Sequence, residues 1–256
     1  MKQTIVIIGI GELGGVFARG FLRCGHPVCP VIRETDINEA AHTLPDPALV
    51  LVAVAEGDLH PTLDAVPGVW KNRLGLLQNE LLPRDWEAHG LEQPTVTAIW
   101  FEKKKGRDVK VLLPSPVYGP RAALLTAALA AVDIPARPLI REEELVYELV
   151  RKNVYILTTN IAGLVAGGTV SELWARHRDL ARAVAEDVMT IQDHLVATPP
   201  SHERLLQGML EAFAGDPGHR CMGRSAPLRL QRALALADAH GLAVPTLRKI
   251  AHDTAR

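Results

Sequence analysis

Along the first half of the chain, short apolar runs alternate with stretches whose apolar residues recur every three or four positions. TIVIIGI precedes VFARGFLRC, PVCPVIR precedes INEAAHTL, and ALVLVAVA and LGLLQ come after them. Apolar runs of about four to eight residues, separated by helix-period segments, are the pattern of a parallel sheet with helices on its faces. TVTAIWFEKK and DVKVLLPSPV then flank Lys105 and Gly106, which reads as an antiparallel hairpin closing the sheet edge, with KKKGR as its solvated tip. RAALLTAALAAVDIP adds a helix, and PARPLI is a short extended connector with two prolines.

From about Arg141 the pattern changes. EEELVYELVRKNVYILTTNIAGLV, SELWARHRDLARAVAEDVMTIQDHLV, HERLLQGMLEAFA and PLRLQRALALADAHG all carry helix-period apolar stripes, with no strand-like run between them. The expected organisation is an α/β domain over residues 1–139 followed by an all-helical domain over residues 140–256. There is no internal repeat or low-complexity tract.

Composition narrows the function classes. The 256 residues are 48% hydrophobic, enough for a core that needs no staples. A formal net charge of -1 supplies no basic field to attract nucleic acid or anionic lipid, so neither is an expected partner. Three cysteines make no disulfide framework and suit a reducing compartment. Cys24, His26 and Cys29 straddle a helix end and the next strand without a second ligand pair, so they read as packing residues and no metal is expected. ALVLVAVA falls far short of the roughly 20 residues that span a bilayer, and no small-residue cleavage pattern follows the apolar N-terminal run. A soluble, cytoplasmic protein is expected.

The first motif with chemistry in it is GIGELG, residues 9–14, set between the first strand and the first helix. Gly9 permits the tight turn, Gly11 lets a pyrophosphate approach the backbone, and Gly14 lets the helix pack on the sheet. Glu12 and Leu13 open a helix whose free N–H groups and dipole favour phosphate. A glycine-rich turn with no ligand is the alternative. The second strand ends in Arg33 and then Glu34. A carboxylate there suits the ribose hydroxyl of NAD and an arginine the 2'-phosphate of NADP. Arg33 comes first, so NADP (NADPH) is favoured over NAD, the alternative being that Arg33 is only a surface residue.

A second constellation lies in the helix that opens the back half. Leu145, Leu149, Lys152, Ile156 and Asn160 fall near one face, which places Lys152 and Asn160 on an otherwise apolar stripe. Burial lowers the pKa of a lysine and suits it to protonating or steadying an oxygen that gains negative charge. A lysine whose ammonium snorkels to water is the alternative. Asp193 with His194 and Glu186 with Asp187 read as the wet face of an amphipathic helix, and His219 as a loop histidine that could act as a substitute acid.

GIGELG with the following VIR, LLQNELLP, the hairpin ending in VYGP, LVRKNVYILTTN and the final DAHGLAVP run in order over nearly the whole chain. Each is loose alone; together they resemble the landmarks of the ketopantoate reductase family. The resemblance implies a Rossmann domain joined to a helical domain, with NADPH and a 2-oxo acid meeting between them, and it admits a homodimer through the helical domain. Lys152 then matches the lysine that assists keto reduction, Asn160 a substrate-binding asparagine, and Asn79 an asparagine beside nicotinamide and substrate. Gly9, Gly11 and Gly14 match the phosphate loop, and Arg33 the NADP-selective arginine.

Several family positions differ. Ile156 stands where a second asparagine is usual, and Glu56 where a lysine follows the third strand. Cys221 and Met222 stand for a serine-methionine pair, and Ser225 to Pro227 cover the position of a glutamate without supplying a carboxylate. Each lost polar contact to a buried charged substrate costs about 1 to 3 kcal/mol, enough to change which carbonyl is turned over. The expected function is NADP-dependent reduction, by hydride transfer, of the keto group of a 2-oxo acid or related small-molecule carbonyl substrate. One alternative is a hydroxyacid dehydrogenase of the neighbouring Rossmann-plus-helical type, whose usual Lys-to-Asn spacing of four meets Ile156 here. The other is a catalytically silent dinucleotide-binding sensor.

Overall fold

The computed structural model describes residues 2–254. The described residues fold as two compact units that divide between Glu148 and Leu149.

The first unit is built on a seven-stranded sheet. β1 (Ile5–Ile8) leads through α1 (Glu12–Arg23) to β2 (Val28–Val31), and α2 (Ile37–Thr43) returns the chain to β3 (Leu49–Val52). α3 (Leu59–Ala65) and a 3-10 segment precede β4 (Leu74–Leu76), and α4 (Pro83–Glu87) precedes β5 (Thr95–Thr97). The strands stand in the order β2-β1-β3-β4-β5, all parallel. β1 and β3 are buried on both faces, which is why they read as unbroken apolar runs and not as alternating ones. α1 turns Val16, Phe17, Gly20 and Phe21 inward, at the three-and-four spacing of its apolar stripe. Val16, Phe17 and Phe21 join Ile5, Ile7, Leu49 and Leu51 in one core.

The hairpin forms, but it does not close the edge. β6 (Phe101–Glu102) and β7 (Lys110–Val111) pair in a small ladder of their own, and β8 (Ser115–Tyr118) runs antiparallel to β5. After α5 (Ala122–Ala130), PARPLI supplies one more strand, β9 (Ala136–Pro138), parallel to β8 at the edge. A proline survives there because the bonds to β8 fall on alternate residues: Ser115 N–H donates to Pro135 O at 3.0 Å and Leu139 N–H donates to Val117 O at 2.8 Å. Pro138 therefore sits where an N–H would point away from the sheet.

The second unit is helical, as its stripes imply. α6 (Glu142–Ala166) runs across the division of the chain, followed by α7 (Val170–Arg176), α8 (Arg178–Leu195), α9 (His202–Gly215), α10 (Ala226–Ala239) and α11 (Pro245–Thr254). α8 buries Ala181, Val184, Ala185, Val188, Ile191 and Leu195 along one stripe. Asp187 departs from its expected wet position. It is buried, and its Oδ2 accepts the N–H groups of Thr246 at 2.7 Å and Leu247 at 3.0 Å. It thereby satisfies donors at the start of α11 that have no intrahelical partner. Burial raises its pKa, against the lowering by the Leu247 and Thr246 bonds.

Candidate functional site

The glycines of GIGELG have three different surroundings. Gly9 has φ +92°, and its N–H donates to Val31 O at 3.0 Å, so the chain leaves β1 through a left-handed turn. A Cβ on Gly14 would stand 2.1 Å from Gly9 O, so this position holds α1 against the turn. Gly11, by contrast, faces nothing within 4 Å, and no side chain caps the helix that starts behind it. Uncapped N–H donors behind an open glycine form a cradle for an anion.

That cradle lines a cavity of about 910 Å³ bounded by Gly9, Gly11, Arg33, Glu34, Ala53 and Asp58, among others. It lies at the carboxyl ends of β1, β2 and β3, the place where open parallel sheets bind their ligands. Arg33 and Glu34 both line it, on a turn pinned by Thr35, whose Oγ1 accepts the Ile32 N–H at 3.1 Å. A dinucleotide fits these residues: backbone donors for its phosphates at one end, and Arg33 or Glu34 for a ribose at the other.

Glu12 and Leu13 begin the helix behind Gly11, and their side chains have tasks outside the cradle. Leu13 packs against the core, half-buried. The Glu12 carboxylate pairs with Lys103 Nζ at 3.2 Å, and the same ammonium donates to Lys104 O at 2.9 Å and to Arg107 O at 2.6 Å. Lys103 is thus bound down by three oxygens at the base of the KKKGR turn and is not part of a solvated tip.

At the ends of β3 and β4 the structure joins Asn79 to Glu56, with Nδ2 donating to Oε1 at 2.7 Å. Glu56 is the residue found where the resemblance expects a lysine, so Asn79 meets a carboxylate there. The next residue, Glu80, has φ +62°, an uncommon left-handed turn for a non-glycine. Gln78 carries no mark in the sequence that sets it apart from its neighbours. It is buried, its Nε2 donates to Val52 O at 2.8 Å and Val54 O at 3.3 Å, and its Oε1 accepts the Leu77 N–H. It ties the end of β4 to the chain leaving β3, and so sets where Asn79 begins.

In the helical unit Lys152 is 5% exposed and Asn160 is half-buried, two turns further along α6. The residues flanking Lys152 have structural tasks: Arg151 Nε donates to Gly208 O at 2.9 Å, and Asn153 Nδ2 to Gln192 Oε1 at 3.0 Å. Asn160 Oδ1 accepts Arg229 Nη1 at 3.0 Å. Arg229, in α10, is 9% exposed and is a partner of Asn160 that the sequence reading missed. The signal was present, since Arg229 sits three residues after Ala226 and four before Ala233 on the buried stripe of α10, as Lys152 does on that of α6. Cys221 is fully buried against Gly163, and burial pushes its thiol up to about 11. Met222 is exposed, and His219 rests against Asp216, Nδ1 to Oδ2 at 3.4 Å.

No protein-family model matches the chain, and no curated protein matches it in sequence. Solved structures match it almost end to end. A PanE/ApbA family ketopantoate reductase from Ralstonia eutropha JMP134 superposes with a TM-score of 0.68 at 16% identity, over 98% of this chain and 97% of that one. A 2-dehydropantoate 2-reductase from Methylococcus capsulatus gives 0.70 at 13% identity, over 97% and 94%. D-mandelate dehydrogenase, in a ternary structure with NADH and anilino(oxo)acetate, gives 0.66 at 13% identity, over 98% of both chains. This chain therefore has the fold of the ketopantoate reductases and of D-mandelate dehydrogenase, a parallel-sheet Rossmann unit followed by a helical unit.

Proposed function

We propose that this protein is an oxidoreductase that uses NADPH to reduce the keto group of an oxo acid or a related carbonyl compound. The observation that carries the reading is the open cradle at Gly11, which leads into a cavity of about 910 Å³ with Arg33 on its wall. Arg33 supports NADPH over NADH, because a guanidinium on that wall suits the extra phosphate. The structural neighbours are named as reductases or a dehydrogenase, and one of them holds NADH with anilino(oxo)acetate.

The cofactor, when bound, supplies the hydride. The protein's part is to hold and to protonate. The N–H groups behind Gly11 grip phosphate, and the left-handed turn at Gly9 keeps that loop rigid. Lys152 Nζ gives its proton to the oxygen that gains charge at the reduced carbon, and its burial keeps water from screening that interaction. Asn160, bound to Arg229 in the helical unit, and Asn79, bound to Glu56 in the first unit, each offer an amide already fixed in place.

Titration with NADPH and with NADH, followed by a screen of 2-oxo acids for loss of nicotinamide absorbance, tests this directly. Lys152→Ala is expected to abolish turnover while leaving NADPH affinity within about twofold. Full turnover by that variant removes Lys152 from the chemistry. One observation favours a second reading, a silent dinucleotide sensor: the first turn of α10 carries no acidic residue where the resemblance places a glutamate. Tight NADPH binding with no turnover of any carbonyl would select it.

A further inference from the structure

The first turn of α1 holds a conflict of charge. Glu12 opens that helix directly behind Gly11 and is the acidic residue of its first turn. A carboxylate there is drawn to the same N–H groups and the same positive end of the dipole that a phosphate would use, so it competes with an anionic ligand and repels it. The cavity wall does little to offset this. Among the described residues that line it, Arg33 is the one base, against the two acids Glu34 and Asp58. The negative pyrophosphate of a dinucleotide would meet a wall of acidic balance with a further carboxylate behind the cradle.

Lys103 answers that carboxylate. It follows β6, in a hairpin outside the strands and helix that build the cradle, and its Nζ stands 3.2 Å from Glu12 Oε2. The same ammonium donates to Lys104 O at 2.9 Å and to Arg107 O at 2.6 Å, so the backbone of the turn holds it in place. Those two carbonyls are neutral, and the charge of Lys103 is left for Glu12. Lys104, the next base of the turn, is taken by Glu102 Oε1 at 2.6 Å. The Lys103 side chain is 16% exposed and that of Glu12 43%, so water and salt screen the pair only in part.

We propose that Lys103 is a positioning residue for the cofactor, which neutralises Glu12 and so leaves the positive end of α1 to the phosphates of NADPH. KKKGR is then the part of the hairpin that completes the glycine loop. The inference rests on the NADPH reading above.

Calorimetric titration with NADPH tests it on wild type, Lys103→Gln, Glu12→Gln and the double variant, at low and at high salt. Lys103→Gln is expected to weaken NADPH about tenfold and Glu12→Gln to tighten it about threefold or more, both differences shrinking as salt rises. The double variant should return within about threefold of wild type, because the net charge behind the cradle is again zero. Lys103→Gln that binds NADPH like wild type overturns the proposal. So does a double variant as weak as Lys103→Gln, since a lysine that merely held the turn together would not be rescued by removing Glu12. Should Lys103→Gln fail to fold, Glu12→Gln decides alone: its side chain is exposed enough to be replaced without harm, and affinity no higher than wild type overturns the proposal. Failure of the reductase reading shows separately, as wild type that binds NADPH but reduces no carbonyl, and the order of the four affinities still decides the role of Lys103 in that event. Wild type that binds no NADPH overturns both.

Discussion

Alanine placed at two glycines of one loop should separate folding from binding. At Gly14 the added Cβ would lie 2.1 Å from Gly9 O, more than an ångström inside ordinary contact, and the obstacle is backbone that cannot rotate aside. Forced overpacking of this kind costs about 1 to 3 kcal/mol, and the roughly 1 kcal/mol gained by alanine over glycine in a helix offsets only part. With backbone as the obstacle the cost lies at the upper end, and the resulting net loss of about 2 kcal/mol lowers the melting temperature of a chain this size by roughly 4–8 °C. At Gly11 the backbone is extended, φ -72° and ψ -164°, and the Cβ meets nothing within 4 Å. Gly11→Ala should then stay within about 1 kcal/mol of wild type, the difference between glycine and alanine as a helix cap. Its methyl group would occupy the phosphate approach, and NADPH affinity should fall at least tenfold. Thermal denaturation and fluorescence titration of both variants give the four numbers. A Gly11→Ala variant that melts normally and binds NADPH normally would reduce GIGELG to a turn. A Gly14→Ala variant as stable as wild type would show that α1 does not press on Gly9.

Arg33→Ser is expected to weaken NADPH about 10- to 100-fold in the same titration while leaving NADH unchanged, and equal losses for both would remove Arg33 from cofactor selection. His202 opens α9 and reaches α8, its Nε2 2.7 Å from Asp193 Oδ2 and its Nδ1 3.1 Å from Glu186 Oε1. Burial disfavours its imidazolium, but the bonds to Asp193 and Glu186 outweigh burial and raise its pKa. Its contribution to stability is therefore complete below the unfolded histidine value of about 6.5 and is lost as pH rises through the folded value. The melting-temperature gap between wild type and His202→Gln should be wider at pH 5.5 than at pH 8.5, and a gap that widens towards alkaline pH would contradict this. With a thiol reagent such as DTNB, Cys24 and Cys29 should react in the native protein, whereas Cys221, buried with its thiol pushed up to about 11, should wait for unfolding. Three thiols reacting at one rate would refute it.

The sequence by itself determined the two architectures, the glycine loop and the place of a lysine on an apolar stripe, because each is written in local order. A change of hydrophobic period from runs to three-and-four spacing specifies which face an element buries. Glycine at the exit of β1 and lysine on the stripe of α6 are visible without knowing any neighbour. The tertiary structure alone decided the partners. PARPLI became an edge strand because β8 offered it unpaired bonds, and Pro138 fell where no N–H was needed. Asp187 left the wet face of α8 because α11 brought uncapped N–H groups to it. The pairings of Lys103 with Glu12, Asn79 with Glu56 and Arg229 with Asn160 join residues far apart in the chain. Periodicity records that a side chain is buried, but which group it meets depends on how separate elements pack, and that information is not held in any one of them.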